Sequence, residues 1–115
     1  MGSMAEPDAI AKELLWLQQD YLRALPSKVD HLTSLHRALM EGDGDEQVVT
    51  QYVFQVHKLA GSAALYGLDN VSEVAKQMEN ALLSFQGDPK DLPHNLVASL
   101  EGLMHDLLSS VPPPE

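Results

Sequence analysis

The chain has 115 residues, 44% of them hydrophobic, and its 17 acidic residues against 7 Lys and Arg give a net charge of -10. That length suits one domain around one core and leaves no segment for a nucleotide-binding domain; no Gly-rich phosphate loop or dinucleotide fingerprint is present either. The acidic balance repels phosphate backbones and anionic headgroups, which argues against nucleic acid and membrane as partners.

Met1-Gly2-Ser3 ahead of Met4 reads as an expression remnant, so the domain is expected over residues 4–110, and Met4 favours a free-standing protein. A first helix is predicted from Pro7 or Asp8 to Ala24, with Ile10, Leu14, Leu17 and Tyr21 on one stripe. Pro26 marks a break or kink. The second helix, Ser27 to Met40, repeats Val29, Leu32, Leu35 and Leu39, with Ser27 as N-cap. After a turn at Gly42-Asp43-Gly44-Asp45, a third helix runs from Asp45 or Glu46 to Tyr66, and Gly67 supplies the left-handed cap. Asp69 or Asn70 caps a fourth helix carrying Val71, Val74, Ala75, Met78, Leu82 and Phe85. A fifth, about Leu92 to Ser109, places Leu96, Leu100, Leu103 and Leu107 together. The tail, residues 111–115 with three prolines, is expected to be extended or disordered. These lengths and short turns predict an all-α, up-and-down antiparallel four-helix bundle with an additional short or kinked N-terminal helix.

There is no cysteine, no apolar run near the roughly 18 residues that span a bilayer and no signal-peptide pattern, so a cytoplasmic setting is expected.

Within the third helix, His57 stands four residues before Gly61. A glycine in a helix interior costs about 1 kcal/mol relative to alanine, so its presence one turn from a histidine calls for a reason. At about 100° per residue, Val49, Tyr52, Val53, Val56, Leu59, Ala60 and Ala63 form the core arc with His57 at its edge. Thr50, Phe54, Gly61, Ala64 and Leu65 share the outward sector of His57, small or apolar where a solvated face normally carries charge, and such a patch marks a partner site. Glu41, Asp43, Asp45 and Glu46 gather at the loop end, away from His57.

His57, Leu59, Gly61, Ser62, Ala63 and Gly67 together resemble the motif of the histidine-containing phosphotransfer (HPt) domains of two-component phosphorelays. The likeness extends from Leu25-Pro26 through the Gly42-Asp43 turn to Met78-Glu79. Many members have lysine where this chain has Ala60, and Lys58 is the nearest cation in sequence. The resemblance implies that His57 carries the phosphoryl group, that Gly61 keeps its neighbourhood open, and that Lys58 approaches the phosphoryl group or an acidic partner. It implies receiver domains of response regulators or hybrid kinases as partners, docking on Phe54, Ala64 and Leu65. The chain would then be a monomeric phosphocarrier with no kinase activity, cofactor or metal of its own, and the receiver would supply Mg. Because a receiver's active site is acidic, apolar docking should depend weakly on salt.

Three other readings remain open from the residues alone. One is an HPt-like module that docks a receiver without carrying phosphate. Another is a metal-binding bundle using His31, His36, His57, His94 and His105, disfavoured because His31 and His36 lie five apart and no Glu-x-x-His pair recurs. The third is the dimerising helix pair of a sensor kinase, disfavoured because Lys58-Leu59-Ala60-Gly61 follows the histidine rather than an acidic residue and a nearby proline.

Overall fold

The structure, a computed structural model, describes residues 7–42 and 44–112. The expected remnant at 1–3, Asp43 of the predicted turn and the end of the Pro-rich tail lie outside the described residues. Four helices follow one another: α1 (Pro7–Met40), α2 (Glu46–Leu65), α3 (Asp69–Leu83) and α4 (His94–Ser110), with no strand among the described residues. Each helix packs on the next, α2 against α3 most extensively, and α4 closes weakly on α1, so α1 faces α3 and α2 faces α4 across the diagonals. This is the expected up-and-down bundle.

The separate N-terminal helix is not found. Pro26 sits inside a single helix of 34 residues, and Ser27 is not an N-cap. The reason is the apolar stripe of Tyr21, Leu25, Val29, Leu32, the partly buried Leu35 and Leu39, whose three- and four-residue spacing crosses the proline; a break would throw half of it off the core. The same stripe fails earlier. Ile10, Leu14 and Leu17, expected in the core with Tyr21, are exposed.

The remaining helices follow the predicted faces. Asp45 caps α2, its carboxylate accepting from the Val48 N–H at 2.9 Å. Gly67 adopts φ 79°, and the paired bonds Leu68 N–H to Ala63 O (2.8 Å) and Gly67 N–H to Ala64 O (3.2 Å) make a Schellman closure. That closure turns the chain so sharply that Leu68, without a side-chain bond, becomes the N-cap of α3; neither Asp69 nor Asn70 does, and Asp69 serves in the first turn. The helix stops at Leu83, so Phe85 packs against the core from the following loop rather than from the helix. In α4, which begins at His94 after Pro93, Met104 takes the fully inward place and Leu103 only a partial one. Val111 is extended, as expected of the tail's first residue. No helix among the described residues is long and apolar enough to cross a membrane.

Candidate functional site

His57 lies midway along α2 because Tyr52, Val56, Leu59, Ala60 and Ala63 are all buried and fix the rotation of the helix. The ring is then held at the rim of the core, its side chain 69% exposed. Thr50, Phe54, Lys58, Gly61, Ala64 and Leu65 all surface around it, as the helical projection requires. Phe54 is 54% and Leu65 77% exposed, so these apolar side chains are offered to solvent rather than spent on the core.

Gly61 is explained by no internal contact. A Cβ placed there would meet nothing within 4 Å outside its own helix, so the bundle itself would accept alanine. What a side chain at 61 would obstruct is the space in front of the ring, since helical Cβ atoms lean toward the preceding turn.

One neighbour corrects the sequence reading. No carboxylate shares the sector of His57 on its own helix, but Glu79 reaches it from α3: Nδ1 of His57 and Oε2 of Glu79 are 2.7 Å apart. The Glu79 side chain is only 20% exposed, so the carboxylate is half enclosed by the two helices and its direction is fixed. A ring nitrogen facing a carboxylate oxygen carries the proton, which leaves Nε2 with the free lone pair. The acidic neighbour therefore orients the ring instead of fencing it off. Sequence spacing on a single helix has no means of finding this pair, whose members are 22 residues apart. The only sign of it was the place of Glu79 in the stretch that resembles the family.

Lys58 is exposed next to His57 in sequence, on the outer side that the helical projection gives it. Its Nζ sits 5.2 Å from the centroid of the Phe54 ring, one turn back, in a cation-π contact. Beside His57 and Glu79, a shallow groove is lined by Val49, Val53, Phe54, Leu82, Leu83 and Phe85. Its apolar wall from α3 and the following loop was not anticipated, because Leu83 and Phe85 leave the helical stripe where α3 ends.

Side chains of α1 brace the end of α2 behind the site. Tyr21 shares a 2.6 Å hydrogen bond with Ser62 and stacks on Tyr66 at 4.5 Å, while the Gln18 amide donates to the Tyr66 carbonyl at 2.9 Å. Burial raises the Tyr21 hydroxyl above its ordinary value, against a lowering by the Ser62 bond. On α3, Ser72 donates to the Ala60 carbonyl at 2.8 Å and ties the two helices that hold the site.

Of the other histidines, His36 is half-buried with Nδ1 2.9 Å from the Tyr52 hydroxyl, whereas His31, His94 and His105 are exposed. Burial lowers the His36 imidazole below its ordinary value, opposed by Glu101, and raises the Tyr52 hydroxyl. Among the described residues, no three or more His, Asp or Glu side chains are grouped so as to hold a metal ion.

The family model of the Hpt domain matches residues 18–110. The chain belongs to the Hpt family. Hpt domains are histidine phosphotransfer modules of phosphorelays, acting as phosphocarriers that interact with receiver domains. The Hpt match spans all four helices and starts at Gln18, the residue whose side chain first ties α1 to the end of α2. Comparison with curated proteins and with solved structures returns no match.

Proposed function

We propose that His57 accepts a phosphoryl group from the phosphorylated aspartate of one receiver domain and passes it to another, with Nε2 as the attacking and leaving atom. The observation that carries this reading is the engagement of Nδ1 by Glu79 on a ring that is otherwise open. In the forward step, the Nε2 lone pair forms the N–P bond while the P–O bond to the receiver's aspartate breaks and returns a carboxylate. No proton needs to move. The ring takes up a positive charge as its proton stays on Nδ1, and the Glu79 carboxylate stabilises that charge by a charge-assisted hydrogen bond.

Phosphoryl transfer asks mainly for in-line placement and for charge stabilisation on the equatorial oxygens. This chain supplies placement: a ring fixed by α2 and Glu79, and a clear approach over Gly61 and Ala64. The receiver supplies the divalent cation and its own carboxylates, and the chain needs no cofactor or nucleotide. Phe54 and Leu65 form the apolar ground on which a receiver settles, in a cytoplasmic relay. Lys58, held over Phe54, borders that ground.

The test is incubation with a receiver labelled on its aspartate, wild type beside His57→Gln. Label is expected on the wild type alone. Equal label on both proteins would overturn the assignment of His57, and no label on either, with binding intact, would leave a docking module that carries no phosphate.

A further inference from the structure

The ring of His57 is engaged on one nitrogen and bare on the other. The 2.7 Å separation between Nδ1 and Oε2 of Glu79 is that of a charge-assisted hydrogen bond, and the 20% exposure of the carboxylate limits the water that would weaken it. The far side of the ring is open: the side chain is 69% exposed, and a Cβ at Gly61 would meet nothing within 4 Å. Among the other charged groups on the two helices beside the ring, Lys58 is drawn over Phe54, and Lys76, one turn before Glu79 on α3, joins no ion pair among the described residues. Glu46, Asp69 and Glu73 lie further along the same helices, and α1 meets α2 on another face, where Tyr21 bonds Ser62. Glu79 is therefore the charge that decides where the ring proton stays.

We propose that Glu79 sets the lifetime of phosphorylated His57: by keeping the proton on Nδ1 it makes the ring a ready leaving group for water as well as for a receiver, so the phosphorylated chain is short-lived until a receiver covers it. This rests on the assignment of His57 as the phosphorylated residue and adds what happens to the group between two receivers.

In hydrolysis a water oxygen bonds to phosphorus as the Nε2–P bond breaks. The bonding pair returns to Nε2, the proton remains on Nδ1, neutral imidazole departs, and the attacking water gives its protons to phosphate and solvent. Without the Nδ1 proton the departing group would be an imidazolate anion, a far stronger base and a poor leaving group. An ordinary imidazole, with a pKa of about 6.5, is protonated in only about one molecule in thirty at pH 8. A carboxylate that holds the proton in place removes most of that penalty, and the gap over Gly61 that admits a phosphoryl donor admits water too. A docked receiver closes the gap, which favours transfer over loss.

The test phosphorylates the full chain with potassium phosphoramidate, a small-molecule donor that needs no receiver, and follows each phosphohistidine signal by phosphorus NMR from about pH 6 to about pH 9. His31, His94 and His105, exposed and without a carboxylate partner among the described residues, are controls within the same chain. At about pH 8 the wild-type His57 signal is expected to decay faster than the controls. In Glu79→Gln, which keeps the shape of the side chain, it should last about ten times longer than in the wild type, the two converging near pH 6 where the solvent supplies the proton. The controls should decay alike in both proteins. Equal His57 lifetimes in the two proteins, a difference that is the same at every pH, or a wild-type His57 signal that outlasts the controls would overturn the proposal and leave the phosphotransfer reading in place. A His57 that takes no label from this donor or from a receiver would overturn both.

Discussion

Replacing Gly61 by alanine separates stability from transfer, because the two should move in opposite directions. The added Cβ meets nothing within 4 Å, so no packing cost offsets the gain in helix propensity, which is about 1 kcal/mol in a helix interior. For a domain of this size that amounts to a rise of about 3 to 6 °C in Tm. The new methyl lies one turn from His57, where i and i+4 Cβ atoms are about 5 to 6 Å apart, on the side from which a phosphoryl donor must approach. Displacing an in-line donor by the width of a methyl should slow transfer about tenfold or more, equivalent to about 1.4 kcal/mol or more on the barrier. A thermal melt by circular dichroism reads the first effect, and the rate of label transfer from a phosphorylated receiver reads the second. A variant that is more stable and transfers at the wild-type rate would refute the idea that the glycine serves access. A less stable variant would refute the open space itself.

Glu79→Gln keeps an acceptor for the Nδ1 proton but removes the charge, so the tautomer should persist by nitrogen NMR while transfer falls about tenfold, as the loss of about 1.4 kcal/mol of charge-assisted hydrogen bonding to the imidazolium implies. Transfer at the wild-type rate would show that the carboxylate charge plays no part. A separate expectation concerns acid. Burial holds the folded pKa of His36 below that of the unfolded chain, so the unfolded state takes up the proton first and stability falls as pH drops through the unfolded value of about 6.5 and toward the lower folded one. His36→Gln should flatten that part of the urea-midpoint profile, and an unchanged slope would mean that His36 is not its source.

The rotation of α2 was legible because seven apolar positions over fifteen residues leave one way to seat the helix, and the edge position of His57 follows from it. Gly67 was legible for a similar reason, since only glycine suits the φ of 79° there. Pro26 misled because the local rule that breaks a helix competes with a stripe that continues across it, and packing outweighs the one lost hydrogen bond. The Glu79 contact was hidden because it depends on how α3 folds back on α2, a tertiary relation that periodicity on one helix does not encode.

The ring and the carboxylate that steers it belong to one helical hairpin, joined by the tight Gly67 closure. Two consecutive helices thus suffice to assemble the chemistry, which leaves α4 and the overhanging start of α1 free to vary in sequence without retuning it. Partner choice can diverge along those outer pieces while the relay step they serve stays the same.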